Sequence, residues 1–215
     1  MKKLILLVLV LCTSFISLEA QWNFYMKAGI SPESNPANYP LIVNRQNPYE
    51  EFLFNLIQVK TQYFGGIQVR CDMGTNFFVE SGATYTQRKS VYSMKYTMGR
   101  EKGTYQELQE IEDQLILPLS IGVKLKSFEI TSGFLGFVSL AKQSELNHIV
   151  GFSDQSDKVQ MGWHAGAGIN LNKVFLGVEY QSAMNRTGIG MSVNQQPLEL
   201  RNVPGQCVFN IRYKF

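Results

Sequence analysis

The sequence predicts an all-β protein, an eight-stranded antiparallel up-and-down transmembrane β-barrel. Three observations predict it: eight segments in which apolar and polar residues alternate, short and long connections that alternate between them, and an aromatic, apolar chain end. The chain end is the most direct. Reading back from Phe215, one set is Phe215, Tyr213, Ile211, Phe209 and Cys207, and the other is Lys214, Arg212, Asn210, Val208 and Gln206. Side chains alternate faces along a strand, so one face is apolar and the other is polar except for Val208. The closing strand of an outer-membrane barrel needs a lipid-facing side and an aromatic anchor at the interface.

Seven further segments alternate in the same way. Trp22 to Ile30 sets Trp22, Phe24, Met26, Ala28 and Ile30 against Asn23, Tyr25, Lys27 and Gly29. About Tyr63 to Asp72 sets Tyr63, Ile67, Val69 and Cys71 against Gly66, Gln68, Arg70 and Asp72. The third begins near Phe77, with Val79, Ser81, Ala83 and Tyr85 opposite Glu80, Gly82, Thr84 and Thr86. About Ile111 to Leu125 places its leucines and Ile121 opposite Glu112, Gln114, Pro118, Ser120, Gly122 and Lys124. Phe128 to Leu140 alternates in its first half and is apolar on both faces at Leu135 and Phe137. Val159 to Leu171 is the cleanest, with Trp163 and Ile169 among the apolar set and Gln160, Gly162, His164, Gly166, Gly168 and Asn170 opposite. Val174 to Ser182 sets Val174, Leu176, Val178 and Tyr180 against Gly177, Glu179 and Gln181.

The connections orient the barrel. Met73 to Asn76, Lys126 with Ser127, and Asn172 with Lys173 read as tight hairpin turns. The other connections are long: about Ser31 to Gln62, Gln87 to Glu110, Ala141 to Lys158 and Ala183 to Pro204. Strict alternation puts all turns at one rim, expected to be periplasmic, and all long loops at the other, expected to be extracellular. An even strand count places both chain ends at the turn side, with the last strand beside the first.

A soluble lipocalin-like barrel also alternates, but carries its apolar residues inside and its charges outside. Here the polar face carries Lys27, Arg70, Asp72, Glu80, Glu112, Lys124, Glu129, Glu179, Arg212 and Lys214, mixed with Gly, Gln, Thr and Ser. Both charge signs among small residues suit a narrow, ion-paired lumen. Trp22, Phe24, Tyr180, Tyr213 and Phe215 fall near strand ends on the apolar face, as interfacial girdles do.

The first residues are Met-Lys-Lys followed by an apolar run that reaches Ala20. This predicts a signal peptide over residues 1–20, cleaved before Gln21, and a barrel domain over 21–215. The run is shorter than the roughly 20 residues a spanning helix needs. Cys12 follows the bulky Leu11 rather than a small residue, so it belongs to the discarded peptide and not to a lipid anchor. Cys71 and Cys207 remain, both on apolar faces of non-neighbouring strands, and read as small apolar residues rather than a bridge. The formal charge of +3 implies neither nucleic acid nor an acidic surface as partner.

Several stretches resemble the PorT-like outer-membrane β-barrel proteins. They are the signal followed by Gln21, Ile116 to Lys124 with its proline, the glycine-rich Gly162 to Ile169, and the Phe-Asn-Ile-Arg-Tyr-Lys-Phe end. The resemblance covers essentially the whole expected mature chain. It implies an eight-stranded barrel in the outer membrane of a Gram-negative cell envelope and little about activity. The family's founding member belongs to a protein-secretion apparatus.

Chemistry-bearing residues are few. His148 reads as a solvated loop residue beside Asn147, and His164 as a hydrogen-bonded lumen filler with Ser139 or Ser182 as neighbours. No metal-ligand spacing is present, and Gly166 and Gly168 fit a strand rather than a nucleotide loop. Lumen charges could line a pore, but an eight-stranded barrel is filled by its own side chains. Asn47 to Phe54 could cap a short helix or extend the second strand. The expectation is therefore an integral outer-membrane barrel without enzymatic activity. It has no catalytic, cofactor-binding or metal site, and its partners are outer-membrane lipid and an envelope or secretion protein. Its role is structural or interactive through long extracellular loops, with Gly99 to Gly103 and Asn185 to Leu200 as the foremost tips. The alternatives are a secretion-apparatus component and a lipid-modifying barrel enzyme.

Overall fold

The computed structural model describes residues 21–35, 41–43, 50–98, 105–149, 152–154, 158–184, 191–193, 196–197 and 205–215. The expected signal peptide, the 99–103 tip and most of 185–200 lie outside the described residues. In chain order the strands are β1 (Gln21–Ser31), β2 (Leu41–Val43), β3 (Glu50–Val59), β4 (Gln62–Met73), β5 (Phe77–Met98), β6 (Tyr105–Leu125) and β7 (Phe128–Ser144). A short 3-10 helix (Glu145–His148) follows, then β8 (Phe152–Asp154), β9 (Val159–Leu171), β10 (Val174–Ala183), β11 (Met191–Val193), β12 (Gln196–Pro197) and β13 (Gln206–Lys214).

Eight of these strands close into an antiparallel ring in the order β4-β1-β13-β10-β9-β7-β6-β5, with β5 returning to β4. The expected eight-stranded antiparallel barrel is what forms. It closes where the chain ends predict, with Tyr25 opposite Lys214, Ala28 opposite Ile211 and Ile30 opposite Phe209. The Phe215 amide donates to the Phe24 carbonyl at 3.2 Å. The tight turns fall where expected, and Gly74, Lys126 and Asn172 take positive φ of 67°, 60° and 61° within them. These turns and both described chain ends lie at one rim, called the lower rim here.

The faces also follow the alternation. Asn23, Tyr25, Arg70, Glu80, Glu129, His164, Glu179 and Arg212 are buried inside, while Trp22, Phe24, Ile67, Leu119, Ile121 and Phe134 are exposed outside. Cys71 and Cys207 are both unbridged.

The upper rim departs from expectation. Gln87 to Glu110 is not a long loop: β5 runs on to Met98 and β6 begins at Tyr105. β7 continues to Ser144, and of the two readings of the stretch from Glu50 onward, a capped helix or an extension of the second strand, the strand forms as β3. β3 pairs the upper half of β5 and β4 the lower half, so the two are one strand broken at Lys60 and Thr61. Two causes hid this. Above Tyr85 the outward residues become polar (Gln87 and Lys89), so both faces are mixed although the backbone ladder continues. A register shift at Leu56/Gln58 between β3 and β5, and another at Asp113/Gln114 between β6 and β7, then change the facing pattern.

The extended wall of β2, β3, β5, β6 and β7 builds a head above the barrel. Leu56 lies opposite Tyr92, which lies opposite Leu108, so all three share the inner face. Phe54, Leu56, Val59, Tyr92, Leu146 and Met191 form the apolar core of this head. The Phe54 and Tyr92 rings stack at 5.1 Å. Leu146 comes from the 3-10 helix and Met191 from the small sheet of β8, β11 and β12, so both remaining connections fold over the mouth.

Barrel closure is open to a direct check. With Cys71→Ser and Cys207→Ser as background, Ala28→Cys combined with Ile211→Cys places two cysteines directly opposite, within about 4.5–5.5 Å between Cβ atoms. Oxidation is expected to cross-link that pair and not Met26→Cys with Ile211→Cys, read as a mobility shift on non-reducing gels.

Candidate functional site

The lumen is the site the fold builds, and it is filled in layers. Lowest, Asp72 accepts from Asn23 at 2.8 Å and pairs with Lys124 at 2.7 Å. Above it, Arg70 grips Glu129 with both Nη atoms at 2.8 Å, a bidentate pair. Arg70 also reaches Glu80 at 3.1 Å. Arg212 completes the ring, 2.9 Å from Glu80 and 3.0 Å from Glu129. Asn170 donates to the remaining side of Glu129 at 3.2 Å. Two arginines and two glutamates cancel in charge, and their side chains are at most 4% exposed.

The arginine Nε atoms have no hydrogen-bond partner, but aromatic faces support both guanidinium planes. Phe78 lies 3.8 Å from Arg70 and Phe175 lies 3.5 Å from Arg212, centroid to Cζ, with Tyr25 beside both. Such contacts are attractive when desolvated. Glycine makes the room: a Cβ on Gly122 would run into the Phe78 ring, and a Cβ on Gly168 or Gly177 into the Phe175 ring. The glycine-rich β9 therefore serves packing.

One layer higher, Lys27 pairs with Glu179 at 2.7 Å, and Asn210 and Gln181 donate to the same carboxylate at 2.9 and 3.2 Å. His164 Nε2 lies 2.7 Å from Ser120 Oγ. The partner is Ser120, whereas Ser139 and Ser182 were the serines that sequence allowed near it. Ser132 donates to the His164 carbonyl.

Ser120, His164 and Glu179 have the composition of a nucleophilic triad, but not its geometry. His164 Nδ1 is 3.9 Å from Glu179 and makes no hydrogen bond, and that carboxylate is committed to Lys27. Ser120 is 1% exposed. A triad needs an oriented base and a nucleophile that substrate can reach. His148 ends the 3-10 helix on the exposed surface, not in an irregular loop. Among the described residues no cluster of three or more His, Cys, Asp or Glu could hold a metal ion.

Above this layer a small cavity of about 40 Å³ opens, lined by glutamines and Arg88. Val59 of the head core borders it. Lys142 joins Glu110 at 3.0 Å to Asp154 of β8 at 2.7 Å, fastening the covering sheet to the wall. The Tyr92 hydroxyl donates to Glu110 at 3.3 Å. These groups stand above the apolar outer belt. Burial raises the Tyr92 phenol well above its ordinary value and raises the Glu110 carboxyl, while Lys142 works against the latter. The Lys142 ammonium is raised because Glu110 and Asp154 outweigh its burial.

The fold and site define a class: an eight-stranded antiparallel barrel with an ion-paired interior and an apolar exterior. No family model and no curated protein matches the chain. Among solved structures it is similar to the outer membrane protein OprG from Pseudomonas aeruginosa. That similarity has 12% identity and a TM-score of 0.44, over 92% of this chain and 98% of that chain.

Sequence reading located the charged members of the three lower layers; it missed Arg88, Glu110 and Lys142 above them, which fell in stretches expected to be loops, and the inward-facing Phe78 and Phe175. The signal of the two phenylalanines was present as an aromatic on the polar face of a strand with glycine on the facing strand.

Two outcomes follow from the layer geometry. Arg70→Met leaves buried carboxylates short of a partner and is expected to cost about 3–5 kcal/mol. Arg70→Met with Glu129→Leu should cost clearly less than the two single changes added, since the pair acts as a unit. Gly168→Val is expected to displace Phe175 from Arg212 and cost about 1–3 kcal/mol, the range for overpacking. Urea titration of the folded, heat-modifiable band measures all of these.

Proposed function

We propose that this chain is an integral outer-membrane β-barrel with a closed lumen, acting without catalysis through the head at its upper rim. The observation that carries the reading is the inversion of faces. The exterior presents Ile67, Leu119 and Ile121 at 59–68% exposure, while charged groups fill the interior. Water would reverse that arrangement, and hydrocarbon calls for it. Aromatic residues border the apolar zone on both sides. Trp22, Phe24, Phe77, Phe128 and Phe215 lie near the lower rim and Tyr63, Tyr85 and Tyr180 nearer the upper, all exposed. The outer face turns polar directly above, at Gln87 and Asp113, which accepts from the Tyr85 hydroxyl at 2.8 Å.

Three stacked polar layers and an apolar cap occupy the lumen, which favours a structural or interaction role over conduction. Periplasmic turns below and an extracellular head above follow the usual sense of such barrels. Export by cleavage after Ala20 belongs to the same reading, and sequencing of the mature N-terminus should begin at Gln21.

The resemblance to PorT-like barrels favours a second reading, a component of a protein-secretion apparatus. A deletion strain that exports its outer-membrane cargo normally would remove it.

The leading reading is tested in membranes. The protein is expected in the outer-membrane fraction, extractable only with detergent, and to shift on a gel when heated. In planar bilayers it should insert without steady conductance. Recovery as a soluble periplasmic protein would overturn the location, and a stable single-channel current would overturn the closed lumen.

A further inference from the structure

Arg88 is the anomaly in the charge pattern of the lumen. Lys27, Arg70, Lys124, Lys142 and Arg212 each sit within ion-pair distance of a carboxylate. Among the described residues Arg88, half-buried on the inner face of β5, has no such partner and no hydrogen bond. The acids around it bond to other groups, although the Arg88 charge still acts on Glu110. Glu112, directly opposite in register, accepts from the Gln114 carboxamide at 2.8 Å. Glu110 is held by Lys142 and Tyr92.

The guanidinium lines the cavity above Glu179 together with the carboxamides of Gln62, Gln114, Gln160, Gln181 and Gln206. A hydrogen-bonded chain forms the floor. Gln62 and Ser31 donate to Gln206 at 3.4 Å, Gln206 donates to Gln181 at 3.4 Å, and Gln181 donates to Glu179. Each carboxamide has two N–H groups, so among the described residues these glutamines keep a second donor beyond the bonds named, and Gln160 keeps both. The space of about 40 Å³ is roughly three times what one water requires, the scale of a few-atom ion rather than a sugar or peptide.

We propose that this cavity is a binding site for a small oxyanion, a phosphate or carboxylate group, held by the Arg88 fork and the free glutamine N–H groups. A planar guanidinium pairs with two oxygens of such an ion, and the surrounding carboxamides supply donors without adding charge. The proposal stands on the cavity and its unpaired cation, not on membrane insertion. Failure of one therefore leaves the other in place.

The test uses full-length folded protein in detergent, titrated calorimetrically with inorganic phosphate and separately with acetate, at ionic strength held constant with chloride. Saturable binding by at least one ion is expected. Arg88→Gln should weaken it about ten- to a hundredfold, the scale of a lost charged hydrogen-bond pair. Arg88→Lys, which keeps the charge but not the fork, should fall between. Glu112→Gln should bind more tightly, because it removes the facing negative charge. Each variant is first shown to give the folded gel band, and Gln160→Leu serves as a second, uncharged probe expected to weaken binding. No saturable binding by wild type to either ion, or equal binding by wild type and Arg88→Gln, overturns the proposal. Binding of phosphate without acetate assigns the site to tetrahedral ions, and the reverse assigns it to carboxylates.

Discussion

The ring of Arg70, Glu129, Arg212 and Glu80 is the constraint on which the rest of the barrel depends. Its members stand on β4, β7, β13 and β5; Arg70 and Glu80 face each other on neighbouring strands, while the Arg70–Glu129, Arg212–Glu80 and Arg212–Glu129 pairs cross the lumen between strands that are not neighbours in the sheet. Backbone ladders fix each strand only against its two neighbours. The ring fixes opposite walls. Charges so deeply buried are tolerable only when they cancel and are fully engaged. That requirement dictates the aromatic platforms under both guanidiniums and then the glycines that leave space for those platforms. Gly168 on β9 and Gly177 on β10 thus leave room for the Phe175 platform of an arginine carried on another strand, while Gly166 leaves room for Glu179.

Above the belt the design changes because the surroundings change. Within the apolar zone an outward side chain must be apolar, so period-2 contrast is forced on every strand. Above Tyr85 the wall stands in water on one side and against the head core on the other. Outward residues become polar while inward ones, Phe54, Leu56 and Tyr92, become apolar. The facing pattern therefore inverts along β5 itself, from Glu80 inside below to Tyr92 inside above.

That inversion decides what was legible in the sequence. The barrel strands were readable because an apolar exterior and a polar lumen impose opposite demands on adjacent residues, and β9 at Val159–Leu171 was readable to its ends. The upper halves of β5 and β6 were not, since both faces mix polar and apolar residues there and two register shifts break the period. The contents of the lumen were readable as a list of charges, but not as pairs. Strand tilt brings Arg70 to Glu129, 59 positions away, and no spacing in the chain encodes that. His164 was placed inside, yet its partner Ser120 lies 44 positions away for the same reason.

The asymmetry of the upper rim bears most directly on what the molecule can do. On one side β5 and β6 rise well above the belt. On the other, β1 ends at Ser31, β10 ends at Ala183 and β13 begins at Gln206. A one-sided wall cannot close a barrel, so its inner apolar face must be covered by other elements. The 3-10 helix and the β8–β11–β12 sheet supply Leu146 and Met191 for that cover, and Lys142 binds Asp154 to hold it in place. These covering elements pack on the apolar face of the wall, and the glutamine-lined space lies between Val59 of that core and the ion-paired plug. The plug resists rearrangement because moving any member strands a buried charge. Among the described residues the cover is held by the Lys142–Asp154 ion pair, the Gln109 amide donating to Glu145 and the apolar contacts of Leu146 and Met191, all near the water above the rim. Any response of this barrel to what it meets outside is therefore confined to the head and the cavity beneath it, while the layers below hold the shape.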